Sequence, residues 1–327
     1  MYSRRMLLIS IALSAVMAFA ESGVAQTYPA RPVTLVVPFP AGGPTDTIAR
    51  VMAESMRPSL GQSVIIENVA GASGSIGTGR VARAPGDGYT ISLGLWTTHV
   101  VNGAVFPLTY DVLNDFEPVC LMMNTPLLIV ARKSMPAKDL KEFIAWLKAN
   151  PDKATAGTGG PGGASHVAGV YLQKETGTRF QHVAYRGVGP AMQDLVAGQI
   201  DMIIDLAGNS LPQVRSGTIK AFAVTDSKRL PAAPEIPTVD EAGVPGLHVS
   251  TWHAFFAPRG TSRNVVGKLN NAIVDALADP AVRRKLNDLG QEIYPREQQT
   301  PEALAAFHKA EIDKWWPMLK AAGIKAE

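Results

Sequence analysis

Glycine-rich turns before three predicted helices are the parts of this sequence best suited to hold a ligand. They lie within Val36–Asp46, Ala156–His166 and Ala184–Pro190, and each follows an apolar, strand-like run. Glycine lets the backbone approach a ligand closely, and proline fits the first turn of a helix, where no N–H is needed. Each helix start then presents unpaired N–H groups and the positive end of its dipole. The pattern predicts an anion site made largely from backbone.

The polar side chains near these turns indicate binding rather than catalysis. His166 follows Ser165 in a first helical turn, but adjacent helical residues point apart and no acid is placed to orient the imidazole. The sequence contains no G-x-S-x-G motif, and its six histidines lack the spacings of metal ligands. We therefore predict no enzyme, no metal site and no cofactor.

Two charged residues are candidates for ligand contact, and each has a second interpretation. Asp205 ends a predicted strand and is expected to face the ligand, or else to cap the following turn. Arg186 is the one cation within a glycine-rich turn, and it could pair with a ligand carboxylate or with a surface acid. Likewise, His166 either touches the ligand or packs locally.

The segment Gly157–Gly162 formally matches the dinucleotide fingerprint G-x-G-x-x-G. However, Pro161 interrupts it, and the next strand closes with Tyr185 and Arg186 rather than with an acidic residue. We predict no nucleotide cofactor.

Short β-branched runs alternate with amphipathic segments, which predicts an α/β fold with helices covering a mainly parallel sheet. A segment rich in proline and acid, Leu230–Pro245, is expected to be a long surface connection. The predicted strands are Val33–Val37, Val64–Glu67, Thr90–Leu93, Leu127–Ala131, His182–Ala184, Met202–Asp205, Lys220–Val224 and Ala254–Ala257. The predicted helices are Asp46–Met56, Asp139–Lys148, Ser165–Lys174, Pro190–Ala197, Val265–Leu277 and Pro301–Leu319.

The N-terminus predicts export. Arg4 and Arg5 precede the uncharged apolar run Met6–Phe19, which is too short to span a bilayer comfortably. We predict a signal peptide over residues 1–25, cleaved near residue 20 or 25, and a periplasmic location; the general secretory and twin-arginine routes both remain open. The net charge of +3, without a long basic run, argues against nucleic-acid binding. The single cysteine, Cys120, is expected to be a buried, inert thiol.

Longer stretches resemble the substrate-binding proteins of tripartite tricarboxylate transporters, also called the Bug family. The resemblance begins with YPARPVTLVVPFPAGGPTDTIAR (Tyr28–Arg50) and ENVAGASGSIGTGRVARAPGDGYT (Glu67–Thr90). It continues through AGTGGPGGASHVAG, YRGVGPAMQDLVAGQIDMIIDL and WHAFFAPRGT, and so covers nearly the whole mature chain in order.

This resemblance implies a type II periplasmic-binding fold with two doubly wound lobes, two crossing segments and a ligand cleft between the lobes. Lobe 1 would comprise 26–124 and 226–327, and lobe 2 would comprise 125–225. It also implies a monomer that captures a small carboxylate and delivers it to a permease of two integral membrane subunits. The implied ligand-binding set is Phe39, Pro40, Ala41, Gly42, Asp46, Ser73, Trp96, Thr97, Thr98, Thr158, Gly163, Ser165, His166, Tyr185, Arg186, Gly187 and Asp205.

The sequence leaves the ligand and the use of the loaded receptor open. A di- or tricarboxylate, an acidic amino acid and an aromatic acid all fit the predicted site. Trp96 stands where smaller residues are common in the family, so it either suits a bulkier acid or only packs. A loaded receptor could feed a transporter or dock on a sensor protein for signalling.

Overall fold

The computed structural model describes residues 28–323, in which strands and helices alternate. The strands are β1 (Val33–Val37), β2 (Val64–Asn68), β3 (Thr90–Leu95), β4 (Phe116–Arg132), β5 (Thr155–Thr158), β6 (Gln181–Ala184), β7 (Met202–Leu206), β8 (Ile219–Val224), β9 (Ser250–Pro258) and β10 (Glu292–Ile293). The helices are α1 (Pro44–Leu60), α2 (Ser75–Ala82), α3 (Asn102–Val105), α4 (Leu140–Ala149), α5 (Ala164–Thr176), α6 (Val188–Ala197), α7 (Ala207–Arg215), α8 (Arg263–Ala278), α9 (Pro280–Asp288) and α10 (Pro301–Ala321).

One curled mixed sheet runs through two lobes, in the order β2-β1-β3-β9-β4-β7-β5-β6. In lobe 1, β1 pairs in parallel with β2 and β3, and in lobe 2, β5 pairs in parallel with β6 and β7. The prediction of an α/β, two-lobed fold is confirmed. The sheet is less uniformly parallel than expected, because β4 runs antiparallel to β7, β8 and β9.

Strand β4 is the first crossing between the lobes. Its 17 residues pair with β9 as far as Pro126, and with β7 from Leu127 onward. The second crossing follows β8, where the Thr225 hydroxyl donates to the carbonyl of Val249 at 2.6 Å and accepts from the Leu127 N–H at 3.1 Å. Both crossings therefore meet at one place, which is the geometry of a hinge.

Apolar packing fixes each lobe separately and also joins them. Cluster A holds α1 and α8 on one face of the lobe 1 sheet, through residues such as Met52, Phe255 and Ile273. A second cluster packs α6 and α7 in lobe 2 around Leu195 and Ile203. A third apolar cluster, called cluster B, contains residues of both lobes, from β4, α5, β9 and α10. The two lobes thus share one apolar core, which includes the crossing strand β4.

The predicted connection Leu230–Pro245 lies only partly at the surface, where its exposed residues include Pro231, Glu235 and Asp240. Leu230, Ala233, Val239 and Val244 are buried, and the Val239 N–H donates to the carbonyl of Val224 at 2.9 Å. The prolines prevent regular structure but do not prevent burial, because apolar residues recur between them. Cys120 is buried, which raises the pKa of its thiol to about 12. Within residues 28–323, no helix is both long and apolar enough to cross a membrane; the predicted signal peptide lies outside the described residues.

Candidate functional site

The carboxyl ends of the two parallel strand triplets face each other across a cleft. The Ser73 hydroxyl, in the turn after β2, donates to the carbonyl of Pro161 after β5 at 3.1 Å. A Cβ added to Gly162 would lie 3.2 Å from Val105 and 3.6 Å from Phe106, at the end of α3. The turns predicted to bind a ligand thus come together from both lobes, in a closed arrangement.

Asp46 organises the first glycine-rich turn. Its Oδ2 accepts from the Gly42 N–H and from Arg50 Nε, both at 2.8 Å. The Asn68 amide, at the end of β2, donates to Asp46 Oδ1 and to the Phe39 carbonyl, each at 3.0 Å. Burial raises the pKa of Asp46, but these hydrogen bonds outweigh it and hold the pKa below its ordinary value. Asp46 therefore acts on any ligand by shaping the turn Phe39–Gly42.

Replacing Asp46 with Asn is expected to loosen this turn. An amide has one oxygen where the carboxylate has two, so donors from Gly42, Arg50 and Asn68 would lose acceptors. We expect a loss of about 1–3 kcal/mol in the free energy of unfolding and roughly tenfold or greater weakening of ligand binding. Urea unfolding and titration calorimetry measure the two effects. The control is Asp313→Asn, which removes an exposed pair with Lys309. Unchanged affinity in Asp46→Asn would exclude the turn from the ligand site.

The segment after β3 is buried, and side chains of α10 form hydrogen bonds to its backbone. Thr97–Val101 forms a π-helical turn, and Thr98 Oγ1 accepts from the Leu95 N–H at 3.0 Å. Trp316 and His308 of α10 hold the carbonyls of Val100 and His99, at 2.9 and 2.6 Å. This brace was not predicted from the sequence, since the two segments are more than 200 residues apart.

Trp96 is fully buried, and its ring meets Trp315 edge-to-face with centroids 4.9 Å apart. Its indole N–H has no hydrogen-bond partner within residues 28–323. The structure thus gives Trp96 a packing role in cluster B, while ligand contact by Trp96 or Thr97 stays a prediction.

Two side chains in the first turn of α5 stabilise the second glycine-rich turn by hydrogen bonds to its backbone. Ser165 Oγ accepts from the Gly159 N–H at 3.0 Å, and His166 Nδ1 accepts from the Gly162 N–H at 3.1 Å. The Thr158 carbonyl accepts from the Tyr185 N–H at 3.0 Å, which ties this turn to the next one. Burial lowers the pKa of His166, so the imidazole stays neutral and Nδ1 remains an acceptor. His166 thus stabilises its own turn, which is the local role that the sequence left open beside ligand contact.

The third turn is held by Tyr185. Its hydroxyl donates to Asp194 at 2.6 Å, and burial together with that carboxylate raises the pKa of Tyr185 to about 12. Gly187 has φ of 111°, a conformation that favours glycine. Arg186 is exposed and forms no ion pair with another residue of the described chain.

Asp205 is buried at the carboxyl end of β7. Asn209 and Ser210 donate to Oδ2, whereas Oδ1 has no partner within residues 28–323. Burial raises the pKa of Asp205 to about 6, despite hydrogen bonds that lower it. Asp205 thus holds two side chains of the first turn of α7 and keeps one free acceptor, while no side chain caps α7.

The helices that begin at the cleft differ from the others in how they begin. No side chain caps α1, α2, α5 and α6, which follow Gly43, Gly74, Gly163 and Gly187. Helices α4, α8, α9 and α10 are capped by Asp139, Ser262, Asp279 and Thr300. Helices α3 and α7, which follow the cleft strands β3 and β7, also lack a side-chain cap. Because an uncapped helix start keeps free N–H groups and a positive dipole end, the cleft attracts anions. Among residues 28–323, no three His, Cys, Asp or Glu side chains form a group that could hold a metal ion.

Two facing lobes with such helix starts define a solute-binding protein of the periplasmic type. A sequence profile described as "Tripartite tricarboxylate transporter family receptor" matches residues 48–324. The chain therefore belongs to this family of periplasmic binding proteins, and it is a receptor and not an enzyme.

Solved structures of similar proteins agree. A periplasmic binding protein, BugD, is 41% identical, with a TM-score of 0.84 over 92% of this chain and 100% of its own. MatC from Rhodopseudomonas palustris, solved with malate, is 41% identical over 89% of this chain and 100% of its own, with a TM-score of 0.83. Another R. palustris protein, solved with adipate, is 34% identical over 92% of this chain and 100% of its own, with a TM-score of 0.85.

Proposed function

We propose that this receptor binds a small organic acid in the cleft and delivers it to the two-subunit permease of a tripartite tricarboxylate transporter. The observation that carries the proposal is the contrast between uncapped helices at the cleft and capped helices elsewhere. It is supported by the relatives solved with malate and adipate.

The carboxylate binds at α5 and α6 of lobe 2. Helix α1 already has Asp46 in its first turn, paired with Arg50, whereas the first turns of α5 and α6 contain no acidic residue. An anion is thus attracted more strongly by these two helix starts. Thr158 and Gly163 lie beside them, and Arg186 adds an outer positive charge. The turn Phe39–Gly42 and Ser73 approach the ligand from lobe 1, with Asp205 at the floor.

Binding couples to lobe movement about the hinge. The proposed division, with 125–225 as lobe 2 and 26–124 plus 226–327 as lobe 1, is supported by the change of β4 partners between Pro126 and Leu127. A monomer then opens and closes around one ligand, and the ligand stabilises the closed state because it contacts both lobes.

A thermal-shift screen tests ligand capture. Saturating ligand, at about 100 times Kd, should stabilise the fold by roughly 2.7 kcal/mol, which raises Tm by several degrees. Probes are malate, adipate, citrate, glutamate and benzoate, and the matched control for adipate is its neutral diamide. Folded, ligand-free protein that responds to no organic acid would contradict the proposal. Uptake of the best ligand in cells with and without this receptor, with the permease present, tests delivery.

A further inference from the structure

Two neighbouring polar side chains of β9 are buried without hydrogen-bond partners. The side chains of His253 and Thr251 lie in residues that are 1% and 3% exposed. Neither nitrogen of His253 nor the hydroxyl of Thr251 has a partner within residues 28–323. Leaving a buried polar group unpaired is unfavourable, because the group gives up its hydrogen bonds to water without replacing them. Three such atoms on one strand therefore need an explanation.

The two side chains share one face of the sheet. Residues two apart in a strand point the same way, and β9 keeps regular pairing while the bulges fall in β4. Phe255 and Ala257 continue this row and pack in cluster A with α1 and α8. Thr251 and His253 extend the same row toward the start of β9.

This end of β9 lies at the cleft. His253 pairs with Leu95, the last residue of β3, which leads directly into the cleft segment at Trp96. Helix α1 packs on the same face and begins at the same edge, since it follows β1, which is parallel to β3. His253 therefore lies on the face that α1 covers, at the edge where α1 begins, and two strands away from β1.

We propose that His253 and Thr251 form a second subsite, which binds the end of the ligand opposite the carboxylate held at α5 and α6. This inference rests on the proposed function. The subsite takes a hydrogen-bond-accepting group, either a second carboxylate or a hydroxyl, and so selects diacids and hydroxy acids over acids with an alkyl end.

The chemistry of the two side chains fits this role. Burial lowers the pKa of His253 to about 4, so at neutral pH the imidazole is uncharged and offers one N–H donor. The Thr251 hydroxyl offers a second donor. An alkyl end would leave both groups unpaired, whereas an acceptor satisfies them. Sites built to bond a polar group reject analogues that lack it for this reason.

Matched acid pairs test the subsite: succinate with butyrate, glutarate with pentanoate, and adipate with hexanoate. The proteins are the wild type, His253→Phe, His253→Gln and Thr251→Val, studied by titration calorimetry. We expect at least about tenfold preference of the wild type for its preferred diacid over the matched monoacid. His253→Phe should remove that preference by weakening the diacid alone. His253→Gln, which keeps a donor, should restore part of it, and Thr251→Val should reduce it several-fold.

The outcomes separate this inference from the proposed function. Wild-type protein that binds no acid of the set contradicts both. If acids bind, but Thr251→Val and a His253 variant that folds keep the full preference for the diacid over the monoacid, the subsite is contradicted and the proposed function is not. Equal weakening of diacid and monoacid also overturns it, because that is the signature of a purely structural role. If His253→Phe does not fold, Thr251→Val and His253→Gln supply the same test.

Discussion

The variant Gly163→Asp is expected to stay folded and lose its ligand. Gly163 precedes α5 with φ of −65° and ψ of 159°, a conformation that aspartate adopts readily. Its carboxylate would cap the free N–H groups of α5 and place a negative charge where the ligand carboxylate binds. Loss of two charge-assisted hydrogen bonds corresponds to about 3 kcal/mol or more, which is at least about a hundredfold in Kd.

The free energy of unfolding of Gly163→Asp should rise slightly or stay nearly unchanged, although ligand binding is lost. A side-chain cap in place of glycine adds a few tenths of a kcal/mol, and an acid near a helix start adds about 0.3–1 kcal/mol. The new Cβ would lie 3.2 Å from the Gly160 carbonyl oxygen, so a small shift of the turn offsets part of this gain. Calorimetric titration with the acid that raises Tm most, beside urea unfolding, measures both quantities.

Two variants control this experiment. Gly163→Asn introduces a neutral cap, so it should weaken binding less than Gly163→Asp. Asp139→Ala removes the cap of α4, whose side chain accepts from the Glu142 N–H at 2.8 Å. It should lower the free energy of unfolding by about 1 kcal/mol and leave affinity unchanged. Normal binding by Gly163→Asp would exclude the start of α5 as the carboxylate site.

The sequence predicted much of the fold because the local signals agreed with the tertiary structure. Val33–Val37 was predicted with the bounds that the structure has, since a nearly continuous run of β-branched and apolar residues favours a strand covered on both faces. A strand was expected before the second glycine-rich turn, but the bounds of β5 were not predicted, because Thr155–Thr158 contains alanine and glycine as well as threonine. Its strand conformation depends on β6 and β7, which flank it.

The site was predictable in its backbone and less so in its side chains. Glycine before a helix is visible locally, so the uncapped helix starts could be located. Whether Ser165 and His166 face a ligand or fold their own turn depends on distances of a few ångströms, which spacing does not encode. The pairing of Asn68 with Asp46 joins segments 22 residues apart. His253 likewise gains its significance only from the strand register that places it opposite Leu95.

Acidification is expected to destabilise this receptor well before its surface carboxylates titrate. Burial lowers the pKa of His182 and His253 to about 4, with a smaller contribution from His166 to the pKa of His182, and it also lowers the pKa of His99, His166 and His308. In the unfolded chain these imidazoles take up protons near pH 6.5, whereas in the folded protein they stay neutral. The unfolded state then binds more protons, so stability is complete above pH 6.5 and falls as the pH drops toward 4.

The size of this effect follows from the fully buried His253. A lowering from 6.5 to about 4 corresponds to roughly 3 kcal/mol lost over that interval, and His99 adds to it in the same direction. Asp205 acts oppositely, because its pKa of about 6 makes the folded protein retain a proton that the unfolded chain releases. Burial also raises the pKa of Glu292 and Glu311, which act in the same direction as Asp205. These three acids do not offset five imidazoles, so the net expectation is a marked fall in Tm between pH 7 and pH 5.

Unfolding of the ligand-free protein at pH 7, 6 and 5 measures this dependence. His253→Gln removes one titrating group from the core, so its stability should fall less steeply with acidification than that of the wild type. The matched control is His248→Gln, since His248 is exposed and contacts Asp240 at the surface. Identical pH slopes for all three proteins would contradict this expectation, because they would mean that His253 has the same pKa in the folded and the unfolded chain.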